Sequence, residues 1–320
     1  MKTRALGRSG LQVSEIGLGS WLTFGSAVDA ANTQQLTQAA YDMGINFFDT
    51  ADVYANGAAE EVLGKALREI PRHTYVLATK CYFPASEHPN DRGLSRKHVH
   101  ESVEASLRRL GTDYLDLHQC HRMDPTVPLE ETVRAYEDLI RQGKLLYWGV
   151  SEWDAEHIAN ACQIADRVLG YRPISNQPNY SIMRRHIEAE VLPVSRREGL
   201  GQVVFSPLGQ GVLTGKYSGG LRPAGSRGDD DQRNHWMGTY LEPKQLERVD
   251  LLRPIADSLD VSMAQLALAW CLRDPGISSV IVGVTRLAQL EDNCMASGLD
   301  LSNDVLERID EIYPAPRPKA

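Results

Sequence analysis

Long apolar runs are missing from this chain of 320 residues: no stretch approaches the roughly 20 residues that a membrane span requires, so no membrane insertion is expected. The opening Met1-Lys-Thr-Arg-Ala-Leu-Gly7 lacks the apolar centre of a secretory leader, which makes the cytoplasm the expected compartment. Cysteine is sparse as well. Cys81, Cys120, Cys162, Cys271 and Cys294 are odd in number, scattered and without a C-x-x-C pair, which argues against a disulfide framework and for reduced, packed thiols. Nor is there an excess of positive charge. A formal net charge of −8 speaks against nucleic acid as a partner, because such a surface needs clustered Lys and Arg to displace counterions from phosphates. A local basic pocket for a small anion remains compatible with that balance. Disorder is expected only in the tail Pro314-Ala-Pro-Arg-Pro-Lys-Ala320, whose prolines forbid a helix.

What the chain has in quantity is alternation. Short β-branched runs at Val13 to Leu18, Ile45 to Asp49, Tyr75 to Lys80, Tyr114 to Gln119, Leu145 to Val150, Ile174 to Gln177, Gln202 to Ser206 and Ser279 to Val282 read as strands, with amphipathic helical stretches between them. Asn32 with Gln35 and Ser262 with Gln265 fit a helix-capping pattern, and Ser95 opens the stripe Val99, Val103, Leu107, Leu110. Gly44, Gly111, Gly143 and Gly199 stand where helices should stop. Residues 3–12 read as a hairpin around Ser9-Gly10 that plugs the bottom of a barrel, and residues 209–243 form the longest irregular stretch.

Eight such units in about 300 residues predict a (β/α)8 TIM barrel, one domain spanning 1–320, in preference to a doubly wound sheet. A doubly wound dinucleotide fold should show a glycine fingerprint after its first strand, but Gly17-Leu-Gly19 supplies two of three glycines and no helix follows at once. Gly211-Val-Leu-Thr-Gly215-Lys216-Tyr217 fails as a P-loop, one residue short and with Tyr217 in place of the hydroxyl that binds Mg²⁺.

Working residues of a barrel lie at the C-terminal strand ends and in the loops beyond them. Asp49 ends the second predicted strand, Tyr54 lies in its loop, Lys80 ends the third and His121 follows the fourth. A phenol has an ordinary pKa of about 10 and is a poor acid at neutral pH until a positive charge stabilises its phenolate. Lys80 would supply that charge, Asp49 would hold the ammonium, and His121 would orient a carbonyl oxygen. A shared metal is not expected, since His118 and His121, three apart on a strand, point to opposite faces. Trp21, Tyr82, Phe83, Trp153 and Trp236 are candidate walls of a substrate pocket.

The stretches Asn46-Phe-Phe-Asp49-Thr-Ala-Asp-Val-Tyr54, Thr79-Lys80, Asp116-Leu-His-Gln-Cys-His121-Arg-Met-Asp124 and Gly149-Val-Ser151 resemble, in order, the motifs of the aldo-keto reductases. Gln177-Pro-Asn-Tyr180 and Ser206-Pro-Leu-Gly-Gln-Gly211 look closest to the branch of voltage-gated potassium channel β subunits and their bacterial relatives. The resemblance implies reduction of an aldehyde or ketone, with hydride from NADPH and a proton from Tyr54. It implies further that Ser151 and Gln177 bind the carboxamide and that Phe205, with Trp21 nearby, lies on the nicotinamide. Ser206, Leu208, Gly211 and Lys216 would cradle the pyrophosphate, Arg227 the 2′-phosphate, and Gln289 and Asn293, after Gly283-Val-Thr285, the adenine end. Glu152 departs from the family pattern, which often has Asn there, and Asp229-Asp230-Asp231 are expected to face water.

Two functions follow from the resemblance. One is a reductase of small carbonyl compounds, favoured by the presence of His121. The other is an NADP(H)-binding regulatory subunit with slow turnover. The same branch points toward homo-oligomers, tetramers or octamers.

Overall fold

The computed structural model describes residues 1–230 and 234–316. Asp231, the Trp236 side chain and residues 317–320 of the proline-rich tail lie outside that description. Strands β1 (Thr3–Ala5) and β2 (Gln12–Ser14) pair antiparallel as a hairpin. The strands β3 (Ile16–Gly19), β4 (Phe47–Asp49), β5 (Val76–Cys81), β6 (Leu115–Cys120), β7 (Leu145–Ser151), β8 (Ser175–Gln177), β9 (Gly201–Phe205) and β10 (Ile277–Val282) run parallel and close into a barrel in the order β10-β3-β4-β5-β6-β7-β8-β9. The predicted architecture is therefore the observed one.

The hairpin seals the lower end. Leu6 and Val13 are fully buried against Phe47, Val76, Ala78, Leu117, Val203 and Ile281, an apolar cluster inside the barrel. The tight turn brings Gly7 (φ 61°) so close to β9 that a Cβ there would sit 2.3 Å from the Gly199 carbonyl oxygen, so only glycine fits. One predicted strand, Val13 to Leu18, divides into β2 and β3. The break is at Glu15, whose buried carboxylate takes Arg4 at 2.7 Å, the Ser297 hydroxyl at 2.9 Å and the Gly298 N–H at 3.0 Å. Those partners come from both ends of the chain and leave no local trace.

Helices α1 (Ala30–Asp42), α2 (Ala58–Leu67), α3 (Arg96–Leu110), α4 (Leu129–Arg141), α5 (Ala155–Arg167) and α6 (Val191–Glu198) cover the first strands from outside. Beyond β9 come the short helices α7 (Pro243–Asp250) and α8 (Arg253–Ser258), the buried apolar α9 (Met263–Leu272), then α10 (Leu287–Cys294) and α11 (Asn303–Ile312). Ser95 caps α3, and Ser262 with Gln265 forms a capping box on α9, as the spacing predicts. The cap of α1 is Asp29 rather than Asn32: the Asp29 carboxylate accepts the Asn32 N–H at 2.8 Å, so the helix begins a turn earlier. Among the described residues no single helix is long and apolar enough to cross a membrane.

Candidate active site

The barrel mouth opens into a cleft of about 1420 Å³. Asp49 is the last residue of β4 and Lys80 lies near the end of β5; in these adjacent parallel strands Asp49 stands opposite Ala78, and Lys80, two residues further on, brings its ammonium to the Asp49 carboxylate. Lys80 is fully buried. Its Nζ donates to Asp49 Oδ2 at 2.7 Å and to the Thr50 carbonyl at 2.6 Å, and it lies 5.3 Å from the centre of the Tyr54 ring. Tyr54 opens a short 3-10 turn whose next residues, Ala55 (φ 49°) and Asn56 (φ 53°), are left-handed, a strained backbone that holds the phenol over the mouth. His121 follows β6, and its ring meets that of Tyr54 edge-on at 5.7 Å.

Electrostatics keep these groups in defined protonation states. Burial, and next the Asp49 carboxylate, push the Tyr54 phenol well above its ordinary pKa; Arg122 is the neighbour that draws it down. Lys80, expected to supply that charge, has its ammonium engaged by Asp49 and Thr50, and the cation that lowers the phenol's pKa is Arg122. Burial lowers the Lys80 pKa, opposed by the charge and hydrogen bond of Asp49. Burial, then the cations Lys80 and Arg122, hold His121 well below the usual imidazole value, so its ring is neutral. Its Nδ1 is buried with no hydrogen-bond partner in the protein. His118 faces the other way, its Nδ1 2.9 Å from the Tyr136 hydroxyl behind the sheet.

The residues proposed for a cofactor line the same cleft. Ser151 ends β7 and donates to the Gln177 carbonyl at 2.9 Å, while Gln177, ending β8, donates from Nε2 to Asp49 Oδ1 at 2.9 Å. Phe205 ends β9 and meets Trp21 edge-on at 6.5 Å. After it Ser206 (φ 54°), Gly209 (φ 54°), Gln210 (φ 59°) and Gly211 (φ 91°) turn left-handed in close succession. Leu208 (φ −91°, ψ 12°) followed by left-handed Gly209 is a backbone sequence of the kind that forms an anion-binding concavity. Lys216 stands over this loop: a Cβ on Gly211 would come 3.0 Å from its Nζ. Arg227 hydrogen-bonds the Gln210 side chain and lies 5.6 Å from the Trp21 ring. Gly283, Thr285, Gln289 and Asn293 close the far end, where Gln289 Oε1 accepts the Thr285 N–H at 2.9 Å. These side chains and the left-handed turn fit an extended dinucleotide with a phosphate near its middle.

Some expectations change. Trp21 and Phe83 line the cleft, but Trp153 is buried beside His157 and Tyr82 packs on Phe83; neither reaches the lining. Asp229 is exposed and accepts the Gly225 N–H, whereas Asp230 is half-buried rather than facing water. The Glu152 carboxylate is bound by the Asn179 N–H while its backbone is left-handed (φ 57°). The sequence assigns no role to Asp52 or Arg122, although both stand inside the quoted motifs. Asp52 is buried, its Oδ2 accepting from Ser102 at 2.9 Å and its Oδ1 without a partner; burial and the nearby Glu60 raise its pKa to about 7.

The structure is thus a closed parallel barrel with a buried lysine–carboxylate pair, a phenol and a neutral imidazole gathered at its C-terminal mouth. The chain belongs to the aldo/keto reductase family, whose family model matches residues 15–314. It is 44% identical over 324 residues to a protein of Arabidopsis thaliana described as "Probable voltage-gated potassium channel subunit beta", covering 100% of this chain and 98% of the relative. A protein of Oryza sativa subsp. japonica with the same description matches equally, at 44% over 324 residues. A "Putative voltage-gated potassium channel subunit beta" of Schizosaccharomyces pombe is 43% identical over 319 residues, 97% of this chain and 92% of the relative. Family membership implies oxidoreductase activity.

Proposed function

We propose that the protein reduces an aldehyde or ketone to the alcohol with NADPH, using Asp49, Tyr54, Lys80 and His121 as its catalytic residues. The observation that carries this reading is the Lys80 ammonium, held at 2.7 Å by Asp49 beneath Tyr54 and beside a neutral His121. A buried ion pair is weak evidence for stability, because desolvation offsets most of its attraction. Its place among titratable groups with shifted pKa values at a cleft argues for function.

Bound NADPH supplies the hydride that goes to the carbonyl carbon. The chain's own residues do the rest. Tyr54, protonated across the neutral pH range, gives its hydroxyl proton to the carbonyl oxygen as negative charge develops there. Lys80 and Arg122 stabilise the phenolate that forms, and Asp49 fixes the ammonium. His121, neutral, hydrogen-bonds the same oxygen and orients it. Ser151 and Gln177 would hold the carboxamide, Trp21 and Phe205 the nicotinamide, and Ser206, Leu208, Gly211 and Lys216 the pyrophosphate. Arg227 would take the 2′-phosphate, with Gly283, Thr285, Gln289 and Asn293 at the adenine end.

The test is NADPH oxidation with a panel of aldehydes. Tyr54→Phe is expected to lower kcat by about 10²- to 10⁴-fold with little change in NADPH affinity measured by fluorescence; an unaltered kcat would remove Tyr54 from the chemistry. Arg227→Ala should weaken NADPH more than NADH by about 1.5–3 kcal/mol, the worth of a charged hydrogen bond, and equal losses for both cofactors would contradict its role.

The relatives' descriptions as potassium channel β subunits favour a second reading, a regulatory subunit of that type; such a subunit would bind NADP(H) and turn over slowly. Wild-type turnover no faster than that of Tyr54→Phe across the panel would select it.

A further inference from the structure

Beyond positioning charge near Tyr54, Arg122 has donors that the reaction above does not use. It is half-buried and lines the cleft. Its Nη1 donates to the His121 carbonyl, and its guanidinium carbon lies 5.4 Å from the centre of the Phe83 ring. That ring in turn meets His121 edge-on at 4.9 Å. Among the described residues no carboxylate forms an ion pair with Arg122. Asp124, the nearest acid along the chain, spends Oδ1 on Thr126 and Oδ2 on the Leu94 N–H. A guanidinium has five N–H donors in a planar fork suited to carboxylate or phosphate, and here it stands one aromatic ring beyond the imidazole that would receive the carbonyl. In a chain of net charge −8, an arginine with no acid to balance it at this point asks for an anion from outside.

We infer that the carbonyl substrate is itself an anion, whose carboxylate or phosphate is gripped by Arg122 while its carbonyl oxygen rests between Tyr54 and His121. This rests on the reductase reading and gives it a substrate class. The chemistry is unchanged: the carbonyl carbon gains the hydride, the oxygen gains the Tyr54 proton, and the anionic group passes through unaltered. The contact of Arg122 with the His121 carbonyl and the Phe83 ring fixes the fork, so the anion must lie a few bonds from the carbonyl.

The experiment compares matched substrates with NADPH and the whole protein: para-carboxybenzaldehyde against para-methylbenzaldehyde, and glycolaldehyde phosphate against glycolaldehyde. The expected result is a kcat/KM advantage of roughly tenfold or more for an anion over its neutral partner, expressed in KM and shrinking as salt rises. An advantage in one pair alone identifies carboxylate or phosphate as the group recognised. Arg122→Met should bring the pairs near parity, and Arg122→Lys should restore part of the preference. Calorimetric binding of para-(hydroxymethyl)benzoate or glycol phosphate to the NADP⁺ complex should rank the variants in the same way without turnover. Parity in the wild-type protein, which depends on no variant folding, overturns the inference, as does a preference that survives Arg122→Met. Neutral aldehydes reduced at parity sink this inference alone, whereas no turnover of any aldehyde by protein that binds NADPH sinks the reductase reading with it.

Discussion

Asp52 shows how a single side chain can tune stability from beside an active site. Its pKa is raised from 3.8 to about 7, first by burial and then by Glu60, whose carboxylate is held by Thr79 at 2.6 Å and Arg109 at 2.6 Å. The folded chain therefore carries a proton on Asp52 that the unfolded chain has already released between about pH 4 and pH 7. The corresponding stability is fully present on the acid side of that window and is lost as pH climbs through 7. A rise of that size is worth on the order of 4 kcal/mol. Asp52→Asn, neutral at every pH, should flatten the fall in urea midpoint between pH 5 and pH 8 and leave the variant the more stable protein at the alkaline end. A midpoint that falls equally in both proteins would remove Asp52 as the cause. At this scale the sequence was legible in the placement of polar side chains at strand ends, as for Asp49, Lys80 and His121, which the barrel brings to one mouth. It was opaque for Asp52 and Arg122, because what distinguishes them is the absence or presence of partners from other elements, which no local pattern encodes.

At the scale of elements, β7 and β8 carry Ser151 and Gln177 at their ends, and what spaces them is Gly149. A Cβ there would lie 2.2 Å from Ser175 Oγ and 2.9 Å from the Ser175 carbonyl oxygen, so even the smallest side chain forces the strands apart. Gly149→Ala is expected to destabilise the fold by about 1–3 kcal/mol and to weaken NADPH binding, read by thermal denaturation with and without the cofactor. An unchanged melting temperature together with unchanged affinity would show that β7 and β8 separate freely. All eight barrel strands were legible, most of them because buried parallel strands are short runs rich in apolar residues, although β8 is Ser175-Asn176-Gln177. Their limits moved by a residue or two, and the first strand split, for a reason that lies in tertiary contacts: the Glu15 carboxylate serves Arg4 on one side and Ser297 and Gly298 on the other. The α1 cap was misplaced for a simpler reason, since Asp29 and Asn32 are both good capping residues and only the hydrogen bond from the Asn32 N–H to Asp29 decides between them.

At the scale of the whole molecule, charge and topology pull in opposite directions. The chain is acidic overall, yet Arg122, Arg184, Lys216, Arg227 and Arg286 all line the cleft at its mouth. Cationic walls in a concave site focus field into it and raise the local concentration of anions, which suits a phosphorylated cofactor and an anionic substrate alike. The hydrogen bond from Gln177 to Asp49 acquires its meaning here. In the ring of strands β4 and β8 stand four places apart, half the circumference, so this bond is a chord along the diameter of the cylinder. Whatever Gln177 grips on one wall is thereby felt, through Asp49, by Lys80 on the other, and under the proposed reading loading the nicotinamide and readying the proton donor would be two ends of one taut line.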